Sequence, residues 1–267
     1  MENTDFLPLQ RTDASAESVY VARPSAWYRL QQNKLALVGL GIIVVMIILA
    51  IVGRMFSSYT YAEQDLMAAN QGPSSAHWFG TDTLGRDLYT RVMYGARISL
   101  TIGFVAALIN LVIGVIYGGV SGFFGGKVDR VMMGFVDILY GIPLLLYVIL
   151  LMVVLEPGLT SIFIALGIAY WLTMARIVRS QIIKIKKEEY VIAAQSMGIP
   201  SWRILWRHIL PNCAGPIIIT MTLAIPEAIF TEAFLSFIGL GVSAPMASWG
   251  AHNRARPNHR PAPKFAL

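Results

Sequence analysis

Long apolar runs separated by short polar segments constrain the fold of this chain more than any other feature. A helix of about 20 mostly apolar residues crosses the hydrocarbon core of a bilayer, and five runs approach or exceed that length. Only 13% of the 267 residues are charged, against about a quarter in soluble domains. The sequence therefore predicts an all-α, polytopic membrane protein. The predicted spans are residues 35–53, 98–122, 131–155, 159–175 and 214–240.

The charges between these spans predict their orientation. Segment 176–211 carries seven Lys and Arg residues against two acids, Glu188 and Glu189. Basic loops stay in the cytoplasm, so the N-terminus is also expected there. The net charge of +6 has the same explanation and does not indicate nucleic-acid binding. The predicted organisation is a cytoplasmic segment 1–34, a first transmembrane helix 35–54, an external segment 55–97 and a core 98–250 that contains loop 176–211.

The end of the chain departs from this pattern. Residues 251–267 are basic and proline-rich, and with five spans they fall on the external side, where basic segments are unfavourable. Three prolines remove backbone donors and oppose a helix. We expect a disordered, atypical tail, and we hypothesise that a frameshift or premature stop has replaced a sixth span.

The cytoplasmic loop has the pattern of two short helices that follow a long one. Apolar residues at helical spacing extend the fourth span into the cytosol. Gly198 suits the left-handed position that ends a helix, and Pro200 prevents simple continuation. Next to this turn, Tyr190, Ala193 and Ala194 lie on the first short helix, where the small alanines permit close approach of another protein. An ordinary basic loop is the alternative. The apolar extension consists of Met174, Val178, Ile182 and Ile185.

A second short helix is expected from Ser201 to Pro211. Its apolar residues are predicted to share one face, which suits the interface between lipid and water. Pro211 is expected to end this helix before the fifth span. The apolar residues are Trp202, Leu205, Trp206 and Ile209.

Three acids fall inside predicted spans: Asp137, Glu227 and Glu232. Ionisable groups in a membrane are costly and usually face the bundle interior or a water-filled path. They are candidates for contacting a substrate amine along a pathway, and hydrogen bonding between helices is the alternative. Pro143 and Pro226 are expected to kink their helices.

Glycines recur at every fourth position along the end of the second span. Small residues at this spacing let helices approach closely in lipid. Packing inside the bundle is one reading, and a seam against a partner membrane protein is the other. The glycines are Gly114, Gly118, Gly122 and Gly126.

Asp82, Arg86 and Asp87 precede a helical stretch at the end of the external segment. An Asp in this position caps a helix, and an ion pair would tie the segment to the span. Docking of an external protein is the alternative. The four histidines lack metal-ligand spacing, and Gly126-Lys127 lacks the spacing of a phosphate loop. We therefore expect no metal site, no nucleotide or other cofactor, and no enzymatic activity in this chain.

Several motifs together resemble one family. The stretch from Ala193-Ala194 to Gly198, followed by Leu210-Pro211, resembles the "EAA" loop of binding-protein-dependent ABC permeases. Gly80-Thr-Asp-Thr-Leu-Gly-Arg-Asp87 resembles the GTDxxGRD signature of their peptide and nickel subfamily, here formed by Gly80, Thr81, Asp82, Gly85, Arg86 and Asp87. Further segments are most similar to the C-subunit permeases for oligopeptides, and this resemblance covers about residues 27–250. These segments begin at Gly125, Met174, His208 and Phe234.

The resemblance implies a type I importer permease in a bacterial inner membrane, with the family's sixth span missing. It implies a homologous partner permease, two cytoplasmic ATPases that bind ATP and Mg²⁺, an external peptide-binding protein and the surrounding lipid. Tyr190, Ala193, Ala194, Gly198 and Pro200 would then form the loop that couples to the ATPases. One position departs from the family, because Ile192 replaces the acid before the alanines.

Oligopeptide transport is the function that this resemblance implies. A permease for dipeptides, glutathione or nickel is an alternative within the same family. A nonfunctional remnant or membrane scaffold is the alternative from a different class.

Overall fold

The computed structural model describes residues 26–155 and 158–241, and in these ranges the chain forms nine α-helices and no β-strand. The predicted tail 251–267 lies outside the described residues. The helices are α1 (Ala26–Gln32), α2 (Lys34–Val52), α3 (Leu88–Phe124), α4 (Gly126–Tyr140), α5 (Leu144–Val154), α6 (Leu159–Ile185), α7 (Glu189–Ser196), α8 (Ser201–Ile204) and α9 (Ala214–Ile238).

Four helical segments among the described residues are long and apolar enough to cross a membrane. They are Lys34–Phe56, Leu88–Phe124, Leu159–Ile185 and Ser201–Ile238. A fifth crossing exists if α4 and α5 form one span. The prediction of an all-helical, polytopic fold is thus confirmed. Helix α3 has 37 residues, about 55 Å at 1.5 Å per residue, so it extends beyond the hydrocarbon core and into the predicted external segment.

The chain divides into two compact units, Met1–Val45 and Met46–Leu267. The division falls inside α2, whose 19 residues are almost entirely apolar. Most of its large side chains are exposed along the whole helix, as expected of a segment whose solvent is lipid.

Helices α3 and α6 pack closely along the predicted glycine positions. A Cβ atom built on Gly114 would lie 2.5 Å from the Met174 side chain, and one on Gly118 would collide with the backbone carbonyl oxygen of Ala175. The equivalent atom on Gly122 would lie 2.9 Å from the Arg179 carbonyl oxygen. These three glycines therefore form a seam inside the bundle, which excludes them as a seam against a partner. Gly126 faces open space and does not belong to the seam.

The predicted third span is not one straight helix. Helices α4 and α5 meet at a break of three residues and are bent by 82°. Pro143 precedes the first residue of α5, where its missing N–H is tolerated because that donor has no intrahelical partner. The predicted third span, 131–155, therefore corresponds to two helices, and it remains one crossing if this bent pair forms a single span. The expected influence of Pro143 is confirmed as a break, whereas α9 continues through Pro226.

The approach to α9 also differs from the sequence prediction. Helix α8 continues into a π-helical turn, Leu205–Ile209, and a 3-10 turn, Leu210–Cys213. A π turn adds a residue per turn, which rotates the side chains out of the expected register. Trp202 and Trp206 are exposed while Ile209 is fully buried, so the prediction of one shared apolar face was wrong. Pro211 is the second residue of the 3-10 turn and does not interrupt the helical path.

Candidate functional site

The signature residues of the external segment form a buried polar network. Asp82 accepts hydrogen bonds from the backbone N–H groups of Leu84 (2.9 Å) and Arg86 (3.0 Å). It also accepts one from Nε of Arg86 at 2.7 Å, and Nε of Arg91 in α3 lies 3.8 Å from the same carboxylate. All three of these charged side chains are buried. The predicted ion pair with Arg86 is therefore present, and the connection to α3 is made by Arg91, which was not predicted.

Asp87 caps helix α3, as predicted. Its Oδ2 accepts hydrogen bonds from the backbone N–H and the hydroxyl of Thr90, at 2.8 and 2.7 Å. Its Oδ1 lies 3.0 Å from Nδ1 of His77. The cap is almost fully enclosed, because Asp87 is only 4% exposed.

The two glycines of the signature occupy positions that exclude a side chain. Gly80 and Gly85 have φ of +77° and +71°, and a Cβ atom on either would collide with a backbone carbonyl oxygen, of Gln71 or Asp65 respectively. The Thr81 hydroxyl donates to the Ala68 carbonyl oxygen and accepts from the Gln71 N–H at 2.9 Å. Every residue of the signature thus holds the fold of the external segment. This placement gives no support to direct docking of another protein by these side chains.

Hydrogen bonding sets the ionisation of Asp82. Burial raises the pKa of this carboxyl, but the hydrogen bonds from Arg86 and Leu84 outweigh burial, so the pKa lies below its ordinary value of 3.8. Asp82 is therefore a carboxylate at neutral pH, and its charge balances the buried Arg86 and Arg91.

The cytoplasmic loop forms the predicted pair of short helices. Helix α7 follows α6 after three residues. Gly198 has φ +74° and donates its N–H to the Gln195 carbonyl oxygen at 3.0 Å. Pro200, in extended conformation, precedes α8. The turn predicted from Gly198 and Pro200 is confirmed.

The two alanines of this loop have opposite environments. Ala194 is 2% exposed and belongs to a buried cluster with Val178, Ile182 and Val191. Ala193 is exposed. Both alanines were predicted to permit close approach of another protein, whereas only Ala193 is accessible in this chain.

Several apolar residues close to Ala193 in sequence are exposed. Tyr190 is 44% exposed, Ile192 51% and Met197 73%. The acids Glu188 and Glu189 lie at the N-terminus of α7, where a negative charge stabilises a helix. Ile192 is therefore an exposed apolar residue, and the acidic charge lies about one turn away. We call Tyr190, Ile192, Ala193 and Met197 the α7 surface.

The three acids of the spans have three different environments. Asp137 forms an ion pair with Arg176 at 2.5 Å, and the Arg176 guanidinium lies 4.0 Å from the centroid of the Tyr140 ring. Glu232 is fully buried and accepts hydrogen bonds from the hydroxyls of Ser99 (3.2 Å) and Ser236 (2.7 Å). Glu227 is exposed and lines a cavity. The structure thus separates these residues and does not bring them together in one site.

The cavity beside Glu227 lies against the break between α4 and α5 and has a volume of about 300 Å³. Helix α6 forms another wall through Tyr170 and Thr173. The Tyr170 hydroxyl hydrogen bonds the Thr231 hydroxyl at 2.6 Å. Tyr140 and Tyr147 line the break itself. These tyrosines were not predicted as site residues. From sequence alone, a tyrosine that lines a cavity in a span looks the same as one that packs between helices, and the break beside the cavity was predicted only as a kink.

Within the two described ranges, no group of three or more His, Cys, Asp or Glu side chains is arranged to hold a metal ion. The chemistry that these sites offer is recognition: an apolar face on the loop and a cavity with one carboxylate in the bundle.

Comparison with known proteins identifies what the chain is similar to. Residues 110–256 match the family described as binding-protein-dependent transport system inner membrane component. Residues 25–73 match the N-terminal transmembrane domain of oligopeptide transport permease C. These matches coincide with the helical core and with the segment around α2.

Two curated relatives cover most of the chain. The oligopeptide transport system permease protein OppC of Bacillus subtilis (strain 168) is 52% identical over 249 residues, which are 92% of this chain and 82% of the relative. The dipeptide transport system permease protein DppC of the same strain is 51% identical over 251 residues, 92% of this chain and 78% of the relative.

A solved structure shares the fold. The MetNI methionine ABC transporter, in inward-facing conformations, matches with a TM-score of 0.51 at 19% sequence identity. The match covers 59% of this chain and 76% of that one.

Proposed function

Because this chain belongs to the family of binding-protein-dependent inner membrane transport components, we propose that it carries oligopeptides through a pathway that it lines with a partner permease. The chain itself is a multi-pass inner membrane permease subunit of an ABC importer, and not an enzyme. In this family, ATP hydrolysis belongs to separate ATPase chains.

The α7 surface is the observation that carries the proposal. It presents large apolar side chains at the end of a loop whose neighbouring residues are basic, so lipid headgroups or water surround it in the isolated chain. Exposed apolar patches of this kind mark sites of protein interaction. We propose that this surface docks on a cytoplasmic ATPase, which would cover Ile192 and Met197.

Packing between α7 and α6 supports a mechanical link from this surface to the bundle. Ala194 and Val191 of α7 pack in one buried cluster with Val178 and Ile182 of α6. Helix α6 then runs without a break back to Tyr170 at the cavity, about 22 Å from its cytoplasmic end. A displacement of α7 by an ATPase would therefore move the wall of the cavity.

The remaining features of the assembly follow from this role. The N-terminus and the α7 surface lie in the cytoplasm, as the basic loop predicts, and the external segment faces a peptide-binding protein. Two ATPase subunits hold ATP and Mg²⁺, so this chain requires no cofactor of its own. A membrane-impermeant thiol reagent should label a cysteine at exposed Gln71 in intact cells, and one at Gln195 only after lysis. The reverse pattern would contradict this orientation.

Peptide uptake in a strain that lacks the chromosomal gene tests the function. Expression of this chain with its operon partners should restore growth on oligopeptides, and the ATPases should co-purify with it. If growth on oligopeptides is restored and dipeptides are not taken up, the substrate is an oligopeptide. Failure of both co-purification and uptake, in a chain inserted normally, would favour the scaffold alternative.

Dipeptide transport is the second candidate function. The chain is 51% identical to the dipeptide permease protein and 52% identical to the oligopeptide permease protein. Sequence identity therefore favours the two substrates almost equally. The same strain, supplied with dipeptides alone, separates the two substrates.

A further inference from the structure

Glu227 differs from the other two acids of the spans because its carboxylate has no partner. Asp137 is paired with Arg176, and Glu232 accepts hydrogen bonds from two serines. Among the described residues, no ion pair or hydrogen bond involves the Glu227 carboxylate. A carboxylate in a membrane normally faces a partner or a water-filled path. Glu227 therefore faces either a water-filled path or a partner from outside this part of the chain.

The cavity around Glu227 is suited to a cation. The C-terminus of the 15-residue helix α4 ends at this cavity, and a helix C-terminus carries partial negative charge. The rings of Tyr147 and Tyr170 line the same space, and aromatic faces attract cations. These two features act in the same direction as the carboxylate, whereas the N-terminus of α5 at Leu144 opposes them with partial positive charge.

Another carboxylate and a tyrosine of this chain together contact a cationic side chain. One edge of the cavity is formed by Tyr140, and there the Arg176 guanidinium lies 4.0 Å from the ring centroid and 2.5 Å from an Asp137 oxygen. A carboxylate and a tyrosine thus hold one internal cation. Glu227 lines the cavity together with Tyr147 and Tyr170, so the same two kinds of group are available there.

We propose that Glu227 binds the ammonium group of the transported peptide in this cavity, an inference that rests on the proposed peptide transport. The site lies midway along the bundle, because Glu227 is the fourteenth residue of the 25 in α9 and the facing span is broken at Gly141–Pro143. Substrate sites of transporters often lie beside discontinuous helices at the bilayer midplane. The volume of about 300 Å³ is at the lower end of ligand sites, which suits one end of a peptide.

A basic side chain of the partner permease is the competing occupant of this site. It would neutralise Glu227 permanently and would fill the cavity. We assign the site to the peptide, because the cavity of about 300 Å³ has room for one end of a peptide beside the carboxylate. The two occupants predict opposite results in the experiments below.

The first experiment measures uptake by the complete importer in proteoliposomes. Each peptide is supplied on the binding protein, once with a free amino group and once N-acetylated. The variants are Glu227→Gln and, as the matched control on the same helix, Glu232→Gln, whose amide still bonds the two serines. For each peptide the uptake rate is divided by the wild-type rate. This ratio cancels differences in delivery, because the binding protein is the same.

Glu227→Gln should lower uptake of the free-amine peptide about tenfold, the loss expected for one charged hydrogen bond. Uptake of the N-acetylated peptide should not change, and Glu232→Gln should affect both peptides equally. An equal effect of Glu227→Gln on both peptides, or no effect on either, would overturn the inference. Absence of uptake by the wild-type importer would instead refute the proposed function.

A second experiment identifies the occupant of the site directly. A membrane-permeant carbodiimide condenses a carboxyl with an adjacent amine to an amide and takes up the released water as a urea. With labelled free-amine peptide, mass spectrometry should find the peptide attached at Glu227 in the wild type and not in Glu227→Gln. A cross-link from Glu227 to a lysine of the partner permease, or no peptide adduct in an importer that transports, would overturn the inference.

Discussion

Asp82 is the residue on which the external segment depends most. It is buried with Arg86 and Arg91, and removal of one partner leaves buried charge without compensation. We expect Asp82→Asn to lower the free energy of unfolding by about 3 kcal/mol, measured as thermal unfolding in detergent. The exposed acid Glu63 lies in the same segment, and Glu63→Gln should change stability by less than about 0.5 kcal/mol. Equal effects of the two substitutions would contradict the network.

The same carboxyl predicts a dependence of stability on pH. Its pKa in the folded chain lies below the ordinary value of 3.8, so folding favours the carboxylate. The stabilisation is therefore present above about pH 3.8 and is lost as the pH falls below that value. The melting temperature of the wild type should decrease between about pH 5 and pH 3. Asp82→Asn should show a smaller decrease, and an identical pH profile would refute this assignment.

At the scale of single residues, the roles of charged residues and glycines could be predicted from the sequence, but the accessibility of individual side chains could not. The cap by Asp87, the left-handed Gly198 and the pair between Asp82 and Arg86 all involve residues close in sequence. Ala193 and Ala194 differ only in which one faces α6. That difference depends on contacts across 16 residues, such as Ala194 with Val178, and no local pattern contains it.

The seam between α3 and α6 predicts opposite effects at adjacent glycines. A methyl group on Gly118 meets the Ala175 backbone, which cannot move aside, whereas one on Gly119 has only the Ile182 side chain at 4.0 Å. Gly118→Ala should therefore lower the free energy of unfolding by about 3 kcal/mol. Gly119→Ala should be neutral or stabilise by up to about 1 kcal/mol, because alanine favours helix. Thermal unfolding of the two purified variants measures this, and equal stabilities would contradict the seam.

Helix α7 allows a similar test with adjacent alanines. Ala193→Trp adds its side chain to the exposed α7 surface, so the melting temperature should remain near that of the wild type while co-purification of the ATPases is lost. Ala194→Trp overpacks a buried cluster and should destabilise the chain by about 3 kcal/mol. Retained ATPase binding in a folded Ala193→Trp variant would exclude the α7 surface as the dock.

At the scale of elements, the existence of the spans followed from hydropathy, because lipid selects for apolar length. The bends and turns within the spans did not follow from hydropathy. Pro143 signalled a disturbance, but an 82° bend depends on how α5 packs against α6. The π turn at Leu205–Ile209 has no signal in composition, so the register of Trp202 and Trp206 could not be predicted.

For the whole molecule, the sites form one continuous structure. The exposed α7 surface is linked by a shared buried cluster to α6, and α6 forms a wall of the cavity that contains Glu227. The external network holds the N-terminal end of α3, the helix against which α6 packs through Gly114, Gly118 and Gly122. We propose that force applied at the loop reaches the centre of the bundle through this order of contacts.

ATP-dependent peptide uptake by reconstituted importer tests this account most directly. Proteoliposomes that contain this chain, its partner permease and the ATPases should accumulate labelled oligopeptide when ATP and the loaded binding protein are supplied on the correct sides. Vesicles that lack only this chain should accumulate none. Equal accumulation with and without this chain, or none in the complete and correctly assembled complex, would contradict its role as a peptide permease subunit.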